Sequence, residues 1–273
     1  MAETAVPNTT LIQPGTARLS SRQFAAVVRH LVKRELDSTH KLTTLGWAWP
    51  VLKQSLQLVI LVFIFGYVIN LHIPHFPVYV FSGLLAWTWF STGIGSAATC
   101  LLDERHLLFQ PRFPGAVIPM VAIAVPLVDM LVALPLLLLL AVLETGLRWT
   151  ALLIPLVVLL QFVLMAGVAW FVSAATVFFR DVPNIVAVLL QALFYMTPVF
   201  YRLHNIPSKY TVILDLNPMT TIVQGYRALL LGGFAEHMPD LRRWLYVVAF
   251  AAVAALIGWL FFRRNQNILV DSL

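Results

Sequence analysis

The 273-residue sequence contains one cysteine, Cys100, and only 11% charged residues. A lone cysteine excludes a disulfide framework and a cysteine-ligated zinc site. Soluble domains carry about 25% charged residues. The scarcity of charge, with 60% apolar residues and a mean hydropathy of +0.86, therefore excludes an ordinary soluble enzyme and a disordered chain. Several chemical signatures are missing as well. No glycine precedes lysine, so the phosphate-cradling loop GxxxxGK[ST] is absent and the chain does not power itself with ATP through that motif. No histidine precedes glutamate and no glycine precedes aspartate, which removes HExxH and the membrane aspartyl-protease signature. GxGxxG is missing too, and no acidic cluster suggests a metal.

Long apolar runs are present instead. Ser55–Leu71, Val78–Leu102, Val117–Leu143, Ala151–Phe179, Ile185–Tyr201 and Trp244–Phe262 are each 17 residues or longer, and about 20 apolar residues cross a bilayer. The expected fold is an all-α membrane protein with six transmembrane helices. The net charge of +6 would suggest nucleic acid if it were clustered on a soluble face. Its positions follow the ends of the apolar runs, which is an orientation pattern. With the N-terminus inside, twelve basic residues fall on the cytoplasmic side and six outside, so both termini are expected to be cytoplasmic. No nucleic-acid partner is expected.

Residues 1–19 are polar and lack the apolar core of a secretory signal, and read as a flexible cytoplasmic tail. Residues 20–50 read as an amphipathic interface helix and its lead-in. Phe24, Val27, Val28, Leu31, Val32 and Leu36 recur at helical spacing with Arg22, Arg29 and Lys33 opposite, and Ser20 with Gln23 fits a capping box. Such a helix suits a headgroup surface beside anionic lipid or a soluble partner. The transmembrane domain is expected over 51–262, followed by a cytoplasmic tail at 263–273.

Within that domain, Asp103, Glu104 and Arg105 open a short polar turn over 103–115, to which Arg112, Phe113 and Pro114 belong. Asp129 is the only ionisable residue near the middle of a run. A central acid costs about 2.5–3.5 kcal/mol, against roughly 5–10 returned by the 17 Leu, Ile and Val residues between Val117 and Leu143, so insertion wins. The acid reads either as a proton or substrate contact or as a bridge to a neighbouring helix. Tyr79, Phe81, Phe194, Tyr195 and Tyr201 gather near the expected outer ends. Aromatic faces of this kind could line a sliding path for sugar rings, and an interfacial belt explains the same residues without a substrate. The stretch 202–243 is too polar to span and too apolar for a simple loop. Ile222, Val223, Tyr226, Leu229, Leu230 and Leu231 are helically spaced before the Gly232-Gly233 stop, consistent with short helices dipping into the outer leaflet or with an amphipathic surface helix.

In this order, the basic amphipathic helix leading to LGWAWP, then LLFQPRFPGAVIPM, FFRDVPNIV, MTPVFY and LNPMTTIVQGYRALLLGG resemble the membrane subunit of type-2 ABC exporters that move lipid-linked polysaccharides such as O-antigen, teichoic acid and cell-wall galactan precursors. The resemblance covers nearly all of the chain from about residue 20. It implies a permease, not itself an enzyme, in the inner membrane of a bacterium. Its partners would be a second copy of itself, two separate ATPase subunits that bind ATP and Mg, the lipid-linked glycan and membrane lipid. It further implies an ATPase interface at Arg22, Arg29, Lys33, Arg34, Arg180 and Asp181, and a gate or coupling region over Asp103–Pro114. It also implies two short re-entrant helices between spans 5 and 6, turning at Asn217-Pro218 with Arg227 beyond. The chain departs from the usual pattern where Phe113-Pro114 is followed by Gly115 rather than arginine. The other classes open to these residues are a proton- or ion-coupled carrier centred on Asp129 and a polyprenyl-dependent membrane enzyme using Asp103-Glu104.

Overall fold

The computed structural model describes residues 20–41, 43–110, 113–146, 149–202, 207, 214–231 and 238–271. The N-terminal tail, Arg112, Arg148, Lys209 and the Gly232-Gly233 stop lie outside the described residues. Among the described residues the regular structure is entirely helical.

Helix α1, Ser21–His40, forms because its cap and its stripe agree. The Gln23 N–H donates to Ser20 Oγ at 3.3 Å and the Ser20 N–H donates to Gln23 Oε1 at 2.9 Å, the reciprocal box that satisfies two orphan donors. Leu31 and Leu36 are buried while Arg22, Arg29 and Lys33 are exposed. Helix α2, Ala48–Leu61, runs on as a π-helical stretch, Val62–Val68. The first membrane segment is thus Ala48–Val68, beginning at Ala48 rather than the expected Ser55, because Pro50 is tolerated in a first turn. Leu52, Leu56, Val59 and Phe63 all face outward.

Helix α3 spans Phe76–Asp103 and the short α4 spans Arg105–Leu108. Helix α5 is Val117–Thr145 with Pro126 and Pro135 in its interior. A 3-10 turn at Trp149–Leu153 leads into α6, Ile154–Phe178. Helix α7 is Val182–Met196, α8 is Pro218–Leu230 and α9 is Leu241–Asp271.

The six expected runs differ in kind. Four segments, Ala48–Val68, Val117–Thr145, Trp149–Phe178 and Leu241–Gln266, are long and apolar enough to cross a membrane. The 28-residue α3 has the length, but Trp, Gly, Ser and Thr lower its hydropathy. It can carry them because 19 of its residues are buried against other helices and need not face lipid. Helix α7 has 15 residues, about 22 Å at 1.5 Å per residue, short of the hydrocarbon core of about 30 Å. The expected run Ile185–Tyr201 therefore divides into a short helix and an irregular link, broken where Pro198 denies Thr197 a helical backbone.

The core separates into two clusters. The larger one joins α3 to α5, α6, α8 and α9 through Phe81, Leu84, Trp89, Ile123, Met165, Ile222 and Val247. The smaller one joins Leu31 of α1 to Leu107, Leu108, Val117 and Phe262, so the polar turn at 103–115 is anchored from beneath. Helices α6 and α9 cross closely. A methyl group on Gly258 would strike the Gly167 carbonyl, and one on Gly167 would strike the backbone of Ala254 and Ala255.

Candidate functional site

Among the described residues, two groups of polar contacts between helices involve the expected site residues. One involves α1, with α3, α4 and α5; the other surrounds α8.

Arg34 of α1 reaches Glu104, at the end of α3, with Nη2 donating to both carboxylate oxygens at 3.1 Å. His106 Nε2 stands 3.5 Å from the same carboxylate. Asp103, Arg105 and His106 are exposed, Glu104 and Phe113 half-buried. One residue of the expected ATPase interface, itself still exposed, is therefore paired with the expected gate segment. Arg22, Arg29 and Lys33 keep their exposure on the opposite face of α1. Arg180 and Asp181 are exposed in the turn between α6 and α7, next to an exposed Phe179.

Asp129 sits 12 residues into α5, about 18 Å along its axis. Its Oδ1 stands 3.0 Å from Nε2 of His40, the last residue of α1. The His40 side chain is only 4% exposed, and its ring stacks on Trp47 with centroids 4.6 Å apart. The acid thus bridges to a neighbouring helix. Its partner is not marked in the sequence, since nothing at position 40 distinguishes a buried histidine from a solvated one at a helix end. Replacing His40 by alanine strands a polar acceptor and is expected to lower stability by about 1–3 kcal/mol. Asp129→Asn, which keeps an acceptor, should cost less. Thermal unfolding of both variants and of the double variant in detergent measures the coupling, and a coupling energy near zero would show that the contact carries no stability.

At the other end of α3, Arg227 of α8 is 2% exposed. Its Nε donates to the Tyr79 carbonyl at 3.1 Å and its Nη2 to the Val199 carbonyl at 2.6 Å. The guanidinium carbon lies 3.6 Å from the centroid of the Tyr79 ring, a cation–π geometry. Among the described residues no carboxylate pairs with it. A guanidinium keeps its proton in a protein interior, so the group is cationic. Gly83 makes the space, since a methyl there would come within 2.8 Å of Nη2.

Around this cation the Tyr79 hydroxyl donates to the Tyr201 carbonyl at 2.8 Å, and the Tyr201 hydroxyl to the Tyr195 carbonyl at 2.9 Å. Asn217 caps α8 by accepting from the Met219 N–H at 3.0 Å, and donates to Thr197 at 2.8 Å. At the far end of α8, the hydroxyls of Thr150 and Thr145 donate to the Leu229 and Leu230 carbonyls. Eleven of its 13 residues are buried, so α8 is an enclosed helix rather than an amphipathic one lying on a surface.

The expected conduit aromatics do not share one surface. Phe81 is fully buried and Tyr79 is 4% exposed, both inside the α3 packing. Phe194 is half-buried between Trp87 and Phe200, Tyr201 is half-buried and Tyr195 is 62% exposed. Phe81 and Tyr79 look like belt residues in sequence because an aromatic near a helix end reads the same whether it meets lipid or the core.

Comparison with known proteins gives a consistent result. Residues 26–231 match the ABC-2 type transporter family. The chain is similar to an O-antigen export system permease protein RfbA of Myxococcus xanthus, 35% identical over 87% of this chain and 90% of that protein. It is similar to a second RfbA, from Klebsiella pneumoniae, at 27% identity over 74% of this chain and 79% of that one. A polysialic acid transport protein KpsM of Escherichia coli is 26% identical over 90% of this chain and 95% of its own length.

Proposed function

The chain belongs to the ABC-2 type transporter family, and from that membership we propose that it is the permease subunit of an ATP-driven exporter of a lipid-linked polysaccharide. The observation that carries the reading is the likeness, over most of their lengths, to permeases named for O-antigen and polysialic acid export. The missing phosphate loop fits the same division of labour, with ATP and Mg held by separate ATPase subunits.

In this reading the permease works in the bacterial inner membrane as a pair of identical chains with two ATPases. Both termini are cytoplasmic. Helix α3 and α7 with its link complete six crossings, and the 13-residue α8, about 20 Å long, is a re-entrant element turning at Asn217-Pro218. The exposed basic face of α1 and the Arg180-Asp181 turn meet the ATPase. The turn containing Glu104 and Phe113 lies where the lipid-linked substrate is admitted. Tyr195, Tyr201 and Phe194 are the aromatics left to meet a glycan. Enzyme chemistry at Asp103-Glu104 is disfavoured by the engagement of Glu104 with Arg34, and the family match favours an ATP-driven exporter over a carrier centred on Asp129.

The test is reconstitution into proteoliposomes with and without the partner ATPase, following movement of a lipid-linked glycan. Export is expected only with ATPase and ATP. Export driven by a pH gradient without the ATPase would replace this reading with a carrier.

A further inference from the structure

Resting on the permease reading, we propose that α3 is a rigid transmission rod between α1 and the enclosed helix α8, with Glu104 and Tyr79 as its two joints. Glu104 and Tyr79 are 25 residues apart, about 38 Å of helix. At the first joint Arg34 of α1 grips both oxygens of Glu104 at 3.1 Å. At the second, Arg227 of α8 grips the Tyr79 carbonyl at 3.1 Å and covers its ring at 3.6 Å. Through these two contacts a load on the exposed basic face of α1 has a path to a buried helix beyond the other end of α3, beside the broader packing of α1 on α5.

Helix α3 is suited to this by what it lacks. Its only proline, Pro77, is in the first turn, whereas α5 carries Pro126 and Pro135 in its interior and α2 passes into a π-helical stretch. Prolines, Gly/Ser pairs and π-bulges are the usual sites of bending. Helix α3 has no interior proline and no π-helical stretch, its Ser82-Gly83 and Gly93 are packed against Arg227 and Met165, and Gly95-Ser96 is its open pair. It therefore has fewer free bending points than α5 or α2. Nineteen of its 28 residues are buried, and packing against α5 and α6 holds it along most of its length. Glu104 is then a positioning residue. It acts by holding α3 to α1. Spatial continuity alone does not establish coupling, so the proposal stands on what each joint does when broken.

The experiment uses the full permease–ATPase complex in proteoliposomes. The first readout is ATP hydrolysed per glycan exported. Glu104→Gln should raise that ratio tenfold or more, and the exchange pair Arg34→Glu with Glu104→Arg should bring it back to within threefold of the parent. The second readout is distant. Leu216, next to α8 in sequence and 62% exposed, is replaced by cysteine and labelled with a membrane-impermeant maleimide; the native Cys100 is buried and does not compete. ATP should change the labelling rate in the Leu216→Cys chain, and Glu104→Gln should abolish that change. An unaltered ratio in Glu104→Gln, an exchange pair no better than either single variant, or an ATP response at Leu216→Cys that is absent from the start or survives Glu104→Gln each overturns the rod. Failure of the parent chain to export with ATP overturns the permease reading and the rod together.

Discussion

Replacing Gly258 with valine is expected to prevent the chain from folding to a stable form. Overpacking a core usually costs about 1–3 kcal/mol, because neighbouring side chains can shift. Here the atom in the way is backbone: a Cβ at 258 meets the Gly167 carbonyl, so α6 and α9 must move apart along their whole crossing. That crossing also aligns Trp170 with Trp259, centroids 5.1 Å apart, and Phe171 with Phe261 at 5.0 Å. Without a hydrophobic drive between helices in lipid, such close packing is itself the main attraction. The loss should exceed about 3 kcal/mol, a large part of the roughly 5–15 kcal/mol that holds a folded protein. Gly95→Ala is the control. No heavy atom lies within 4 Å of its added methyl, so a gain of about 0.4–1 kcal/mol is expected from the restricted unfolded chain. Size-exclusion profiles and melting midpoints in detergent read both outcomes. A Gly258→Val protein that melts with the parent would show that the two helices are not held by this contact.

How much of this was legible beforehand depended on range. Local signals were readable: the Ser20–Gln23 box, the apolar stripe of α1, and the helical spacing of Ile222, Val223, Tyr226 and Leu229 each depend on residues within a few turns. The extents of α5 and of the Trp149–Phe178 segment followed from apolar run length, whereas the last helix starts three residues before Trp244 and continues past Phe262 through the expected tail to Asp271, because a helix need not end where its apolar run does. Length misled at Ile185–Tyr201, where apolar residues continue past the end of α7 into a link that is buried but not helical. Pairings were not readable. Arg34 and Glu104 are 70 residues apart, His40 and Asp129 are 89, and Tyr79 and Arg227 are 148. No periodicity specifies which distant helix a side chain meets. The buried cation was the hardest to foresee, because arginine at 227 counts in sequence as one more outer charge. A usable sign was present in Gly83 and Gly225, two glycines inside helices where small size admits a large neighbour: Arg227 at one and Trp244 at the other.

That buried cation gives the second large effect, and its sign runs against chemical similarity. Arg227→Lys keeps the charge but is expected to destabilise the chain more than Arg227→Met. A buried cation is tolerated only when its surroundings satisfy it, and breaking such an arrangement costs about 3–5 kcal/mol. Arginine satisfies Tyr79 and Val199 together because its planar fork presents Nε and Nη2 in fixed directions, a geometry that a single ammonium cannot reproduce. Lysine would retain the whole desolvation cost and lose one of the two carbonyls and the flat stacking on the Tyr79 ring. Methionine also leaves the Val199 carbonyl without its donor, a loss of about 1–3 kcal/mol, but it removes the buried charge. Tyr79 still has a donor, the Ser82 hydroxyl at 3.0 Å, so only one carbonyl is stranded. Gly83→Ala offers an independent check, because its methyl would crowd Nη2 without altering any charge, and it should fall between the two. The measurement is the melting midpoint of all three variants with the parent, followed by ATP-driven export, which should drop at least tenfold in Arg227→Lys. If the lysine variant melts at or above the methionine variant, the fork is not what holds the cation, and the seat of α8 on α3 must be its apolar packing alone.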